Sequence, residues 1–204
     1  MQHSVDPRNL ISAMHFQASG ELMRLLDGFY SNIEDGLFEL AYCNEDYGQQ
    51  RKTIELMREL RFRRDHLLKT FGKRMQRSVQ SWFDEDLTTT EYLEERAQAD
   101  ALAARCSGHF GFLLQTIAER VAHATDRDMD RKSVPVSPEE VSYHFIMSCR
   151  SLKINQESIG MVQDLFHRFV LDRLGGIYGP INQQLQDAGY CTVGELQKLS
   201  ASTA

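Results

Sequence analysis

Residues 50–83 read QRKTIELMRELRFRRDHLLKTFGKRMQRSVQSWF. Ile54, Met57, Leu60, Leu67, Leu68, Phe71, Met75, Val79 and Trp82 recur at intervals of three or four, or sums of these. That is the spacing of one helix face, and no proline interrupts it. The run predicts a helix from Gln50 to Phe83, about 45–50 Å long at 1.5 Å per residue. Upstream, Leu22, Leu26, Phe29, Ile33, Leu37 and Leu40 mark a second helix from about Ser19 to Cys43. Gly28 and Gly36 interrupt that stripe, which either permits a close helix contact or costs stability. Only the short turn NEDYG (44–48) lies between the two, so they are expected to run antiparallel as a helical hairpin. Elements this long belong to an elongated bundle rather than a compact ball.

The remainder reads as helix too. Thr88 with Glu91 is a capping-box signature, opening a third helix expected to run unbroken to about His123. Its small-residue section, AQADALAARCSGHFG (97–111), invites close approach by another helix, and Leu113, Leu114, Ile117 and Val121 complete its apolar face. ATDRDMDRKSVPV (124–136) is a loop. Ser137, Pro138 and Glu140 then start a short helix by three rules at once: a serine N-cap, proline at the first position and glutamate at the third. A last long helix is expected from Gln156 to Ala188, stopped by Gly189. Its GGIYGP segment (175–180) predicts a kink, because Pro180 cannot donate to the carbonyl of Gly176. Thr192 and Glu195 open one more short turn. The whole reads as all-α: about five main helices in one domain over 19–190, an N-terminal tail over 1–18, an acidic linker at 84–90, and a short helix and tail after 191.

Composition narrows the function. The 204 residues are 42% hydrophobic and 25% charged, with net charge −6 and pI near 5.6, as in soluble globular domains. An acidic chain argues against general, charge-driven nucleic-acid binding. No run approaches the ~18 apolar residues of a membrane span, and MQHSVDPRNL lacks the layout of a signal peptide. Cys43, Cys106, Cys149 and Cys191 form no C-x-x-C pair and read as reduced, packed thiols of a cytoplasmic protein.

Two segments resemble the bacterial DUF1631 family. LLDGFYSNIEDGLFELA (25–41) with MRELRFRRDHLLKTF (57–71) is similar to a helix pair of that family. VPVSPEEVSYHF (134–145) with LFHRFVLDRLGGIYGPINQQLQDAGY (165–190) is similar to a loop and helix near its end. Phe166, Val170, Leu171, Leu174, Tyr178, Asn182, Ala188 and Gly189 carry the second match, and Gly175, Gly176 and Gly179-Pro180 depart from it. The resemblance covers roughly 20–83 and 134–190. It implies an α-helical bacterial cytoplasmic protein of uncharacterised function, shorter than most of the family. Some relatives are joined to cyclic-di-GMP-binding PilZ domains, and some bear the name thymidine phosphorylase. Neither activity transfers. The basic helix offers only Arg58 with Phe62, or Lys69 with Lys73, for the R-x-x-x-R of a PilZ site. NQESIG (155–160) sets its serine one place late, and no glycine-rich phosphate loop supports nucleoside chemistry.

Other candidate sites are incomplete. Asp126, Asp128 and Asp130 alternate like the start of a calcium loop, but Arg131 and Ser137 stand where that loop needs glycine and glutamate. Glu140 and His144 share a helix face, and a metal would need His167 from elsewhere. Cys106 and His109 lie three apart, yet a nucleophile also needs a lowered thiol pKa and an orienting group. No metal or cofactor is expected.

That leaves RELRFRRDHLLKTFGKRMQR (58–77). Arg58, Lys69, Lys73 and Arg77 face away from the apolar stripe. Glu59 precedes Arg63 by four and Asp65 precedes Lys69 by four, so part of the charge is paired locally. Lys69, Lys73, Arg74 and Arg77 remain as contacts for an acidic partner or anion. Arg64 falls in the stripe with Arg61 at its edge, so both are expected in a buried or interface ion pair, while Phe62 points outward. Residues 84–100 hold seven acids against one arginine and are the nearest neutralising partner. The expected function is a non-catalytic protein-interaction or regulatory module that binds another protein or itself. The alternative is a binder of nucleic acid or a nucleotide second messenger.

Overall fold

The computed structural model describes residues 6–42, 46–83, 93–126, 128–134 and 136–202, and among these every regular element is helical. The order is α1 (Pro7–Tyr42), α2 (Tyr47–Phe83), α3 (Leu93–Ala104), α4 (Ser107–Thr125), α5 (Pro138–Cys149), α6 (Gln156–Phe169), α7 (Gly175–Asp187) and α8 (Val193–Ser202). The expected Thr88–Glu91 cap, the 84–90 linker and Cys43 lie outside the described residues, as do the side chains of Leu40, Val79 and Trp82. No helix among the described residues is long and apolar enough to cross a membrane.

The sequence segments are capped where chemistry directs. Asp6 precedes Pro7, and its Oδ1 accepts from the amide of Arg8 at 3.1 Å. Helix α1 therefore begins at Pro7, and the expected tail over 1–18 is corrected: Ile11, Met14 and Ala18 are buried along the same face as Leu22 and Leu26. Asp46 repeats the device for α2, accepting from Gly48 N at 2.7 Å. Ser137 accepts from Glu140 N and Asn155 from Ser158 N. Thr192 and Glu195 exchange both bonds of a capping box. Gly189, at φ +87°, supplies the left-handed residue that ends α7.

Two expected single helices are each two. The third breaks at Arg105–Cys106 between α3 and α4. The last breaks at a 3-10 turn, Leu171–Arg173, between α6 and α7, upstream of the predicted GGIYGP site. Pro180 sits inside α7 on its exposed side. Gly175 has a packing role instead: a Cβ there would stand 2.8 Å from the Phe110 ring, which in turn meets Tyr178 edge to face at 5.5 Å.

Helix α1 packs along α2. Arg64 meets Asp27 and Arg61 meets Glu34, while Met23 lies over Gly72. The buried face of α2 is Leu56, Leu60, Leu67, Phe71 and Met75. Ile54, expected in that stripe, is 49% exposed, because the buried face is phased through Leu56 four residues before Leu60. One core joins the helices, centred on Phe29, Phe145 and Phe166. Val136 of the 124–136 loop enters it and its carbonyl accepts the buried Tyr178 hydroxyl at 2.8 Å.

Candidate functional site

The basic helix divides by packing. Lys69, Lys73 and Arg77 are exposed at successive i, i+4 positions, one solvent stripe of α2. Arg74 is half-buried and its Nε reaches neither solvent nor a hydrogen-bond partner, so the structure separates it from the other three. Arg61 and Arg64 do find carboxylates, but at the surface rather than buried. The Arg61 side chain is 73% exposed and pairs with Glu34, whose carboxyl that contact holds below its ordinary range. Arg64 reaches Asp27 at 2.6 Å and Ser31 Oγ at 2.9 Å. The more buried pair is Arg63 with Glu59, 3.2 Å apart. Downstream, Glu95 faces Arg150 at 3.4 Å rather than α2.

The remaining sequence candidates do not converge on chemistry. Asp126 ends α4 in a left-handed conformation, and no group of three metal-ligating side chains forms among the described residues. Glu140 Oε1 accepts from Arg96 at 2.5 Å, and its other oxygen stands 3.6 Å from His144 Nε2. His167 lies beside Asp172 instead. Burial pushes His144 down to about 3, aided by the charges of Arg74 and Arg96, and pushes His15 down to about 4. Both are neutral packing groups at ordinary pH. Burial raises the Cys106 thiol to about 11 and Cys149 to about 12, the reverse of an activated nucleophile.

Two surfaces stand out instead. At the α1–α2 end, Phe38 stacks on Tyr42 at 6.1 Å, and Phe38, Tyr42 and Tyr47 are 59%, 82% and 85% exposed. The second surface is a groove of about 490 Å³ between α1 and the α6–3-10 segment. Leu25, Gly28, Phe29 and Gly36 floor it, Arg24, Arg168 and Arg173 flank it, and Asp35 and Glu39 stand toward the turn. Gly36 is explained by packing, since a Cβ there would approach Leu165 to 3.1 Å. A Cβ at Gly28 would meet nothing within 4 Å. The spacing of Gly28, Asn32 and Gly36 on one helix face was the sequence signal for this groove.

Sequence reasoning missed Arg120, which is 3% exposed on α4. It donates to Asn182 Oδ1 at 3.0 Å, to the Tyr190 carbonyl and to Glu195 Oε1 at 2.9 Å, fastening α8 to the core. Its only signal was a charge flanking the apolar face of Ile117 and Val121.

The chain matches the model described as "Protein of unknown function (DUF1631) N-terminal domain" over residues 6–189. That span includes α3, α4 and the first turns of α1, which the resemblance read from sequence left out. No curated protein and no solved structure matches it. With nearly the whole chain inside the family model, the protein belongs to the DUF1631 family, through its N-terminal domain.

Proposed function

We propose that the chain is a non-catalytic protein-interaction or regulatory module of a bacterial cytoplasmic protein. In this reading it is an elongated helical bundle built on an antiparallel hairpin of α1 and α2, and it docks onto another protein or a second copy of itself. At 1.5 Å per residue α1 and α2 each extend about 55 Å, and their contacts, in which residue numbers fall on one helix as they rise on the other, support the hairpin.

The observation that carries the reading is the exposed aromatic set Phe38, Tyr42 and Tyr47 at one end. Aromatic residues are enriched in interface cores, where they bury a large area with little entropy loss. Light scattering coupled to affinity capture tests it: self-association or a captured partner is expected, and turnover by a solitary monomer would overturn it.

A second reading rests on Lys69, Lys73 and Arg77, an exposed cationic stripe suited to phosphate. Titration with RNA, DNA and cyclic-di-GMP at two salt concentrations separates it. Binding strongest at low salt supports this reading.

A further inference from the structure

The α1–α6 groove extends from Arg24 to Glu39, about 22 Å of helix at 1.5 Å per residue. Its shape and lining narrow what it can hold. It is open and half polar, unlike the enclosed apolar cavities that take small ligands. Arg24 is paired with Glu21 at 2.5 Å. Arg168 and Arg173 carry no ion pair among the described residues; their guanidiniums lie 5.5 and 5.9 Å from the centre of the Phe169 ring. They therefore present two cations beside an aromatic face, a favoured setting for binding carboxylates at protein interfaces. Asp35 and Glu39 line the same groove and repel negative charge, so it suits a short acidic stretch held at Arg168 and Arg173 rather than a continuous phosphate backbone along its length.

The floor is bare at Gly28. A mid-helix glycine is destabilising relative to alanine, and among the described residues nothing fills the space its missing side chain leaves. Asn32 keeps the same face low, because its amide folds back to donate to the Gly28 carbonyl at 2.6 Å.

We propose that this groove docks an acidic segment of a partner protein. Its carboxylates pair with Arg168 and Arg173, and an apolar side chain fills the space over Gly28. The inference rests on the interaction reading and gives that reading a partner chemistry.

Selection from a random displayed-peptide library against the intact protein tests it, followed by anisotropy titration of the selected peptides. Acid-rich peptides are expected. Their affinity should fall about tenfold or more in R168E/R173E, as loss of charge-assisted pairing implies, and also in G28Q, which fills the groove. Arg168 and Arg173 are exposed and Gly28 is half-buried with open space over it, and circular dichroism and melting confirm that the variants fold. Failure to select any peptide overturns the proposal, as does selection of peptides indifferent to both variants. Inorganic phosphate or ATP binding that is lost in R168E/R173E, without acidic-peptide binding, reassigns the groove to a phosphate ligand and overturns it too. If association through Phe38, Tyr42 and Tyr47 persists in any of these failures, the interaction reading stands without the groove.

Discussion

Phe145 on α5 and Phe166 on α6 stack face to face, ring centroids 3.7 Å apart and planes within 6°. Phe29 of α1 meets each of them edge-on at 5.9 Å. Helix α1 is thus joined to the α5–α6 pair, far downstream in sequence, through one aromatic cluster, and all three rings are almost fully buried. Phe166→Ala should cost about 3–5 kcal/mol through lost burial and an unfilled cavity. Phe16→Ser, at a residue 82% exposed, should stay within about 0.5 kcal/mol. Urea unfolding of the two variants measures the contrast.

Arg120 supports a second prediction. Its guanidinium is buried and shared among Asn182, Tyr190 and Glu195. Arg120→Met leaves the Asn182 and Tyr190 oxygens without their donor, while the partly exposed Glu195 carboxylate can rehydrate, and should destabilise by about 1–3 kcal/mol. Hydrogen exchange should show α8 amides losing protection before α5. Equal protection of α8 in the variant would show that the clamp does not hold the helix.

The buried histidines set an acid limit. Their folded values, about 4 for His15 and about 3 for His144, lie below the ~6.5 of an unfolded histidine. The unfolded chain binds protons first, so the stability from keeping them neutral is full above pH ~6.5 and is lost as pH falls toward 4 and 3. Each should remove on the order of 1 kcal/mol per pH unit over that window. Glu140, raised mainly by burial and partly offset by Arg96, titrates in the opposite sense and moderates the loss. Melting temperature should drop between pH 6.5 and 4.5, less steeply in His144→Gln. Identical slopes would mean His144 is not buried neutral.

Thiol labelling checks the burial directly. Cys106 and Cys149 are buried and Cys191 is partly exposed, so native protein should label at Cys191 well before the other two. Prompt labelling of Cys149 would contradict its burial at the end of α5 beside Tyr30 of α1.

Much of this fold was legible because helix starts and stops are local chemistry. Ser137-Pro138 and Thr192/Glu195 were readable from a few residues, and so was Gly189. Asp6-Pro7 carries the same signal as Ser137-Pro138, yet the sparser apolar pattern around Ile11 and Met14 hid it. The breaks at Arg105–Cys106 and Leu171–Arg173 were not legible. Both segments keep helical periodicity, and only tertiary packing decides where each chain turns. The site shows the same division. The exposed Lys69, Lys73 and Arg77 followed from helix phase, since 100° steps fix which residues share a face. The half-burial of Arg74 depends on its α5 neighbours, and the groove depends on where α6 crosses α1, neither of which one helix's phase contains.

We propose that this domain works by association through exposed surface rather than by catalysis. Light scattering with affinity capture on wild type and on Phe38→Ser/Tyr42→Ser/Tyr47→Ser tests it most directly. Association by the wild type, lost in a variant that melts normally, is the predicted result. A wild type that stays monomeric, captures nothing and turns over a substrate would contradict it.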